Sequence, residues 1–306
     1  MNDGLGPLPR TFAERLRTGR FVMTAEVAPP VSFDAQDLLR KAAPLRGLAD
    51  AVNVTDGAGA RAHMAALAAA NILIGMGIEP ILQITCRDKN RIALQSEMMG
   101  AAALGIRNLL LLTGDDPKAG DQPDTKPVFD IDSKTLIETA RRLRDQGELP
   151  TGRKVGGHAA FFIGAADMPV DPPAGFKPNS LLGKVKSGAQ FAQTQFCMDT
   201  GVVRRYVGVL EEAGITKELG ILIGVNPLRS AKSAQWMKSH LFGTIIPDAM
   251  IERMEKAADP EAEGIRLCVE LIAELKTIKG VAGVHIMAPG NDAAIPKVIA
   301  AAREKL

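Results

Sequence analysis

Two acidic residues stand where a ligand could meet them, each beside an apolar run of the sequence. Glu26 interrupts the run Phe21–Val27, and Asp115 follows Leu109–Leu112 in a turn that contains Gly114. A partly buried carboxyl group in an apolar setting is suited to proton transfer. The carboxyl end of a buried parallel strand, where Asp115 lies, is where α/β folds bind their ligands. The alternatives are that Glu26 faces outward at a rim and that Asp115 caps its own turn.

The other polar residues at predicted strand ends carry amides and hydroxyls rather than nucleophiles. They are Thr55, Gln83 with Thr85, Gln195 and Asn226, and Gly164 marks the end of the fifth strand. Gln195 is suited either to a ligand or to satisfying buried backbone groups. Lys184 could neutralise a phosphate, and the alternative is a solvated surface lysine. His285 lies inside a strand, which is typical of a hydrogen-bonded core histidine.

Composition excludes several classes of protein. The net charge of +2 gives no electrostatic basis for binding nucleic acid or a membrane surface. Three scattered cysteines and no apolar leader favour reduced thiols in the cytoplasm. Four histidines without ligand spacing make a metal site unexpected. Neither GxGxxG nor GxxxxGK[ST] occurs, so a bound nucleotide would not be held by a Rossmann turn or a P-loop.

Eight β-rich runs, each followed by at least one helical stretch, must position these residues. The first four strands end about thirty residues apart, the length that one βα unit requires, so the sheet is predicted to be parallel. The predicted strands are Phe21–Val27, Asp50–Thr55, Glu79–Thr85, Leu109–Leu112, Gly156–Ala165, Phe191–Phe196, Leu219–Val225 and Gly283–Met287.

This alternation predicts an α/β fold, a single (β/α)8 TIM barrel over residues 1–306. A doubly wound open sheet is the alternative. Residues 1–20 form an N-terminal extension with a short helical lead-in at Thr11–Leu16, and two extra helical stretches precede strand eight. Long Pro- and Gly-containing loops follow strands four and five, at residues 118–130 and 168–178. Loops of this length are usually functional.

An ordered set of motifs at these strand ends resembles the methylenetetrahydrofolate reductase family. The motifs are Thr24-Ala25-Glu26-Val27, Val54-Thr55-Asp56, Gln83-Ile84-Thr85-Cys86-Arg87-Asp88, Leu112-Thr113-Gly114-Asp115, Lys184-Val185-Lys186-Ser187-Gly188, Thr194-Gln195-Phe196 and Gly283-Val284-His285. The resemblance extends from about residue 20 to the C-terminus. It is the ordered set, rather than any one motif, that is specific.

The resemblance implies a (β/α)8 barrel that binds FAD at the carboxyl ends of its strands. The implied reaction is ping-pong hydride transfer from NADH or NADPH to FAD and then to 5,10-methylenetetrahydrofolate, which yields 5-methyltetrahydrofolate for one-carbon metabolism and methionine biosynthesis. The implied partners are these small molecules. Homo-oligomerisation stays open.

Site roles are also implied by the resemblance. Glu26 is implied as the general acid that protonates N10 of the folate, and Asp115 as a second catalytic residue that binds folate and tunes the flavin. Gln195 would contact the pterin. The implied cofactor-binding positions are Thr55, Gln83, Asp115, the backbone of Gly164 and Ala165, and Lys184.

The chain departs from the family pattern at several positions. Gln83 stands for a histidine, Ala165 lies near the position of a tyrosine, Gly183 stands for an arginine, Ala231 for a substrate-stacking aromatic residue, and Asn179 or Ser180 for a flavin-binding asparagine. Two other functions therefore stay open. One is a barrel enzyme that acts on another C1 carrier with electrons from a partner protein, and the other is a non-catalytic folate- or flavin-binding subunit of a methyl-transfer system.

Overall fold

The computed structural model describes residues 11–306, in which eight strands alternate with helices. The strands are β1 (Val22–Val27), β2 (Ala51–Val54), β3 (Pro80–Thr85), β4 (Asn108–Leu112), β5 (Phe162–Asp167), β6 (Phe191–Phe196), β7 (Gly220–Val225) and β8 (Val281–Ile286). The helices are α1 (Phe12–Arg17), α2 (Ala35–Ala42), α3 (Ala66–Gly75), α4 (Arg91–Ala103), α5 (Ser133–Gln146), α6 (Asn179–Ser187), α7 (Thr200–Glu212), α8 (Ala231–His240), α9 (Asp248–Glu255), α10 (Pro260–Leu275) and α11 (Ala294–Lys305).

The strands form a closed parallel barrel in sequence order, and β8 pairs with β1 through Val22 and Gly283. The predicted (β/α)8 TIM barrel is therefore confirmed, and the open doubly wound sheet is excluded because such a sheet has free edges. The extra helices α9 and α10 precede β8 as predicted. Parallel closure brings the carboxyl ends of all eight strands to one face, so polar residues far apart in sequence share one mouth.

An apolar layer fills the opposite, N-terminal end of the barrel. Its members are Phe12, Val22, Ala51, Ile81, Leu110, Phe162, Phe191 and Leu222. The fully buried ring of Phe12 packs edge-on against the rings of Phe162 and Phe191, with centroids 5.8 and 5.2 Å away. The predicted lead-in helix is thus confirmed as α1, which closes this end of the barrel.

Side chains at the start of the chain hold α1 in place. Thr11 and Glu14 form a reciprocal capping box at its first turn. Arg15 pairs with Asp50, whose carboxylate also accepts a hydrogen bond from the backbone N–H of Met23 at 2.7 Å. The part of the predicted extension at residues 1–10 lies outside the described residues.

The predicted fifth strand, Gly156–Ala165, was misplaced. In the structure β5 begins at Phe162 and ends at Asp167. Pairing with β4 determines this start, because Phe162 is the residue opposite Asn108, the first residue of β4. Residues 156–161, which precede it, are not among the residues paired with β4.

The sequence pattern also predicts helices over residues 32–48 and 61–76, and both are shorter in the structure. The second begins at Ala66. The first ends as an α-helix at Ala42 and tightens into a 3-10 turn, Ala43–Leu45, because Pro44 has no N–H to continue the α-helical ladder. No helix in residues 11–306 combines the length and apolarity needed to cross a membrane.

Candidate functional site at the barrel mouth

The residues of the inner barrel wall lie in three layers. The lowest is the apolar layer closed by α1. The second contains four buried polar side chains, and the third lies at the mouth with Glu26, Thr55, Gln83 and Gln195. Alternation of side chains along each strand explains the layers, since residues two apart face the same side.

Glu26 faces the barrel interior. Its side chain is 23% exposed, and its Oε2 lies 3.5 Å from Nε2 of His285 on the neighbouring strand β8. Gln83 Nε2 donates a hydrogen bond to the same oxygen at 3.2 Å. The outward-facing alternative is therefore wrong. One side of this carboxyl group is open to a ligand. On the other side, the Gln83 amide and the His285 imidazole contact Oε2.

A buried polar network lies directly beneath Glu26. Gln193 Nε2 donates to Thr24 Oγ1 and to Asn53 Oδ1, both at 3.0 Å, and Asn53 Nδ2 donates to Gln193 Oε1 at 2.6 Å. Thr24 Oγ1 lies 3.0 Å from Nδ1 of His285. Each of these four side chains is at most 3% exposed. His285 is a hydrogen-bonded core residue, as expected, but it also reaches Glu26.

Asp115 connects two turns at the mouth. It is exposed, and its Oδ2 accepts a hydrogen bond of 3.2 Å from the backbone N–H of Gly59, in the turn after β2. The neighbouring Asp116 caps the short 3-10 turn after β4 by accepting a hydrogen bond from Lys118 N at 2.9 Å. The capping role considered for Asp115 thus belongs to Asp116, and the hydrogen bond from Gly59 occupies one of the two Asp115 oxygens.

A buried arginine behind Asp115 was not anticipated from the sequence. Arg87 is 4% exposed, and its guanidinium donates to Asp88 at 2.8 and 2.6 Å and to the carbonyl of Gly57 at 3.1 Å. The hydrogen bond to Asp88, followed by the charges of Asp88 and Asp115, raises the pKa of Arg87. Gly57 and Gly114 both have positive φ, and a Cβ at either position would collide with Arg87.

Arg87 therefore lies between the turns that follow β2 and β4. The turn after β2 is also held by Asp56, which accepts hydrogen bonds from Thr85 N at 2.9 Å and from Lys89 Nζ at 2.9 Å. The signal in the sequence is the pair of glycines, because each meets both a positive φ and the close approach of Arg87.

Thr55 and the fifth strand differ in what they offer a ligand. Thr55 is 4% exposed, and its hydroxyl oxygen is buried without a hydrogen-bond partner in residues 11–306. Gly164 lies one layer lower, where a Cβ would overlap the ring of Phe191. Ala165 belongs to the main core, whereas Gly164 contacts the barrel interior. Of these positions, Thr55 is the one with an unmatched polar atom.

Gln195 is half-buried and makes hydrogen bonds to two backbone groups. Its Oε1 accepts from Phe196 N at 3.0 Å, and its Nε2 donates to the carbonyl of Phe242 at 3.2 Å. The backbone-satisfying alternative therefore describes the structure. The second hydrogen of the amide remains, so Gln195 can also bind a ligand.

Lys184 lies at the carboxyl end of β5. Its Nζ donates to the carbonyl of Ala166 at 2.7 Å, and burial, opposed by the charge of Asp167, lowers its pKa. Burial raises the pKa of Asp167, which accepts a hydrogen bond from the hydroxyl of Tyr206 at 2.7 Å. Asp167 was missed because the predicted strand ended two residues early. Extending the apolar run through Ala166 would have placed this acid at the strand end.

Within the described residues, the structure brings Glu26, Gln83 and His285 into direct proximity. Asp115 is attached to the β2 turn, Gln195 to the segment at Phe242, and Lys184 to the end of β5. The arrangement offers one carboxyl group for proton transfer, a second carboxylate at the rim, amide groups for hydrogen bonding and a lysine at one side. This set suits acid-assisted chemistry on a polar heterocycle.

Comparison with known proteins identifies a family. Residues 11–303 match the methylenetetrahydrofolate reductase family. A probable methylenetetrahydrofolate reductase (NADPH) of Caenorhabditis elegans is 24% identical over 239 residues, covering 76% of this chain and 33% of that protein. Methylenetetrahydrofolate reductase 1 of Schizosaccharomyces pombe is 25% identical over 265 residues, covering 81% of this chain and 40% of that protein. The chain thus spans about a third of the length of these curated relatives.

Solved structures share the fold at low identity. An uncharacterized protein from Clostridium thermocellum that binds two copies of 5-methyl-5,6,7,8-tetrahydrofolic acid superimposes with a TM-score of 0.66 at 13% identity, covering 95% of this chain and 97% of that one. DmoA from Hyphomicrobium sulfonivorans gives a TM-score of 0.56 at 10% identity, covering 92% and 86%. With a family match over nearly all of the described residues, the chain belongs to the methylenetetrahydrofolate reductase family.

Proposed function

We propose that this protein reduces 5,10-methylenetetrahydrofolate to 5-methyltetrahydrofolate with electrons from NADH or NADPH, by way of FAD. The observation that carries the proposal is the position of Glu26 on the inner barrel wall, where Gln83 and His285 hold Oε2. Family membership supports a folate as the substrate class, and the fold is shared with a protein that binds 5-methyl-5,6,7,8-tetrahydrofolic acid.

The residues at the mouth fit the ring end of a flavin. The buried hydroxyl of Thr55 has no partner among the described residues, so a polar ring atom of a ligand would satisfy it. Gly57, Gly59 and Gly114 border the same region without side chains. Asp115 would place a negative charge near the ring and so influence the potential of a bound flavin.

Two lysines are suited to contact the diphosphate of FAD. The side chain of Lys134, in the first turn of α5, lies near Gly183, where a Cβ would be 3.4 Å from Cδ of Lys134. Burial is the largest cause of the lowered pKa of Lys184, and the nearby charge of Lys134 lowers it further. Two ammonium groups in proximity are stabilised by a bound anion. Lys134 thus places a cation near position 183, where the family pattern has an arginine.

When bound, FAD would accept a hydride from the nicotinamide and deliver one to the folate in a separate half-reaction. Glu26 would donate its proton to N10 of the folate, which opens the five-membered ring and leaves an electrophilic iminium at N5. Asp115 would stabilise this cation through its negative charge, and the free amide hydrogen of Gln195 would bind the pterin.

The proposal is tested with the purified full chain. Its visible spectrum is recorded before and after FAD is added, and NADH and NADPH are then titrated anaerobically, followed by methylenetetrahydrofolate. We expect flavin absorbance, bleaching by the nicotinamide, and recovery of colour with formation of 5-methyltetrahydrofolate. Protein that binds folate but shows no turnover with either nicotinamide would refute the proposal and favour a non-catalytic folate-binding subunit.

A further inference from the structure

Arg87 lies on the inner wall of the barrel, at the level of the mouth. Side chains two residues apart on a strand face the same side. On β3 this series begins with Ile81 in the apolar layer and continues with Gln83 at the mouth. The backbone N–H of Cys86 still donates to a carbonyl of β4 at 3.1 Å, so the strand pairing continues one residue beyond β3. Arg87 is therefore the next inward position after Thr85.

Glycines on the two neighbouring strands leave room for the Arg87 side chain. On the β2 side, a Cβ at Gly57 would overlap Nη2 of Arg87. On the β4 side, a Cβ at Gly114 would lie 2.9 Å from the Cβ of Arg87. Both glycines have positive φ. The guanidinium can therefore lie against the turn after β2 without a competing side chain.

The hydrogen bonds of Arg87 leave one guanidinium nitrogen unused. Nε and Nη2 donate to the two carboxylate oxygens of Asp88 at 2.8 and 2.6 Å, and Nη2 also donates to the carbonyl of Gly57 at 3.1 Å. Within residues 11–306, the hydrogens on Nη1 have no partner. Because Nη1 is not one of the fully enclosed polar atoms that lack a partner, it borders accessible space.

The direction of this free nitrogen is fixed. Asp88 holds the guanidinium by two parallel hydrogen bonds, which set its plane, and the side chain of Arg87 is only 5% exposed. The described contact of Asp115 goes to the backbone N–H of Gly59, so this carboxylate does not occupy Nη1. A nearly buried cation with unused hydrogens is costly unless a ligand supplies an acceptor.

The acceptor edge of a flavin ring has the chemistry that this position requires. Thr55, two residues before Gly57, offers a second unmatched polar atom on the same side of the mouth. N1 and the neighbouring C2 carbonyl of a flavin are adjacent acceptors. When a flavin takes up two electrons and one proton, its ring gains one negative charge, which is concentrated at this edge. The guanidinium of Arg87 is always charged, and its N–H groups lie in one plane.

We propose that Arg87 binds the N1 and C2-carbonyl edge of the flavin ring through Nη1, and stabilises the negative charge that this edge gains on reduction. Asp88 is a positioning residue that sets the plane of the guanidinium. The positive charge of Arg87 opposes that of Asp115, so the two residues together set the potential of the bound flavin. The inference rests on the proposed use of FAD, and it does not depend on the folate substrate.

The proposal is tested on the purified full chain with FAD, without folate or nicotinamide. The Kd of oxidised FAD is measured by flavin fluorescence, and the midpoint potential of bound FAD by titration with dithionite against a reference dye. In Arg87→Gln we expect a more negative potential, equivalent to an affinity for reduced FAD that falls about tenfold more than the affinity for oxidised FAD. This is the effect of losing a hydrogen bond to a charged group. Arg87→Lys, the milder change, is expected to shift the potential less in the same direction, and it decides the question if Arg87→Gln does not fold.

The potential separates contact with the flavin from a structural role. If Arg87 only held the turns after β2 and β4 together, its loss would weaken oxidised and reduced FAD equally, and an unchanged potential overturns the proposal. Lys89→Gln is the matched control, because Lys89 holds the same turn through Asp56 and its charge is paired with Asp56 and Glu97. An equal shift in Lys89→Gln also overturns the proposal. A parent protein that binds no FAD overturns it together with the assigned cofactor, whereas an unchanged potential overturns it alone.

Discussion

The closing of the barrel floor by Phe12 allows a quantitative prediction for Phe12→Ala. The ring is fully buried and contacts Phe162 and Phe191 edge-on. Removing it leaves a cavity in a rigid barrel end, where the neighbours are strand residues that relax little. Large-to-small substitutions of this kind cost about 3–5 kcal/mol. For a chain of this size the cost corresponds to a fall in Tm of roughly 6–10 °C.

Urea unfolding followed by circular dichroism measures this loss as a lower midpoint with an unchanged slope. The matched control is Phe33→Ala, since Phe33 lies fully exposed in the loop after β1. Its free energy of unfolding should stay within about 0.5 kcal/mol of the parent. A loss below about 1 kcal/mol for Phe12→Ala would refute the claim that α1 closes the barrel.

Three other predictions concern the mouth and its rim. Burial raises the pKa of Asp167 above the 3.8 of an unfolded chain, so the folded state keeps this proton longer and loses stability as the pH rises from about 4; Asp167→Asn should gain stability relative to the parent over that range, measured by urea unfolding at several pH values. Gly57→Ala should destabilise the chain by about 1–3 kcal/mol, because its φ is +59° and its Cβ would strike Arg87. Lys134→Ala and Lys184→Ala should each weaken FAD binding about tenfold, measured by fluorescence titration.

Each of these predictions can be contradicted. A pH-independent difference between Asp167→Asn and the parent would contradict the raised pKa of Asp167. Gly59→Ala is the partner of Gly57→Ala, since Gly59 has a φ of +62° with no atom within 4 Å of a Cβ; equal losses would mean that Arg87 adds nothing. Riboflavin lacks the diphosphate, so its binding should be unaffected by the two lysine variants. Equal weakening of riboflavin would contradict their assignment to the phosphate end.

The fold was predictable because its signals are local. Most strands are largely apolar runs, helical stretches follow them, and Asp34, Asn90, Asp132 and Asp199 begin their helices as N-caps. The start of β5 was not predictable in this way. The residues before Phe162 resemble a strand in composition, and only their lack of a partner on β4 excludes them. Pairing across a barrel is a tertiary property that a single run does not encode.

The candidate site was also predictable only in part from the sequence. Glu26 and Asp115 were identified because an acid at the end of an apolar run is conspicuous. Asn53 and Gln193 were not, because their mutual hydrogen bonds join residues 140 positions apart. Arg87 was missed for the same reason, since its nearest neighbours include glycines of two other turns. Polar residues inside strands become interpretable once the closed barrel shows which of them face one another.

The proposed function depends most on the transfer of a proton from Glu26 to the folate. The direct measurement is a stopped-flow comparison of the two half-reactions in the parent protein and in Glu26→Gln, with FAD bound. In Glu26→Gln we expect reduction of the flavin by NADH or NADPH to proceed at nearly the parental rate, while its reoxidation by methylenetetrahydrofolate is slowed by at least about a hundredfold. Parental reoxidation by the folate in Glu26→Gln, or an equal loss in both half-reactions, would contradict it.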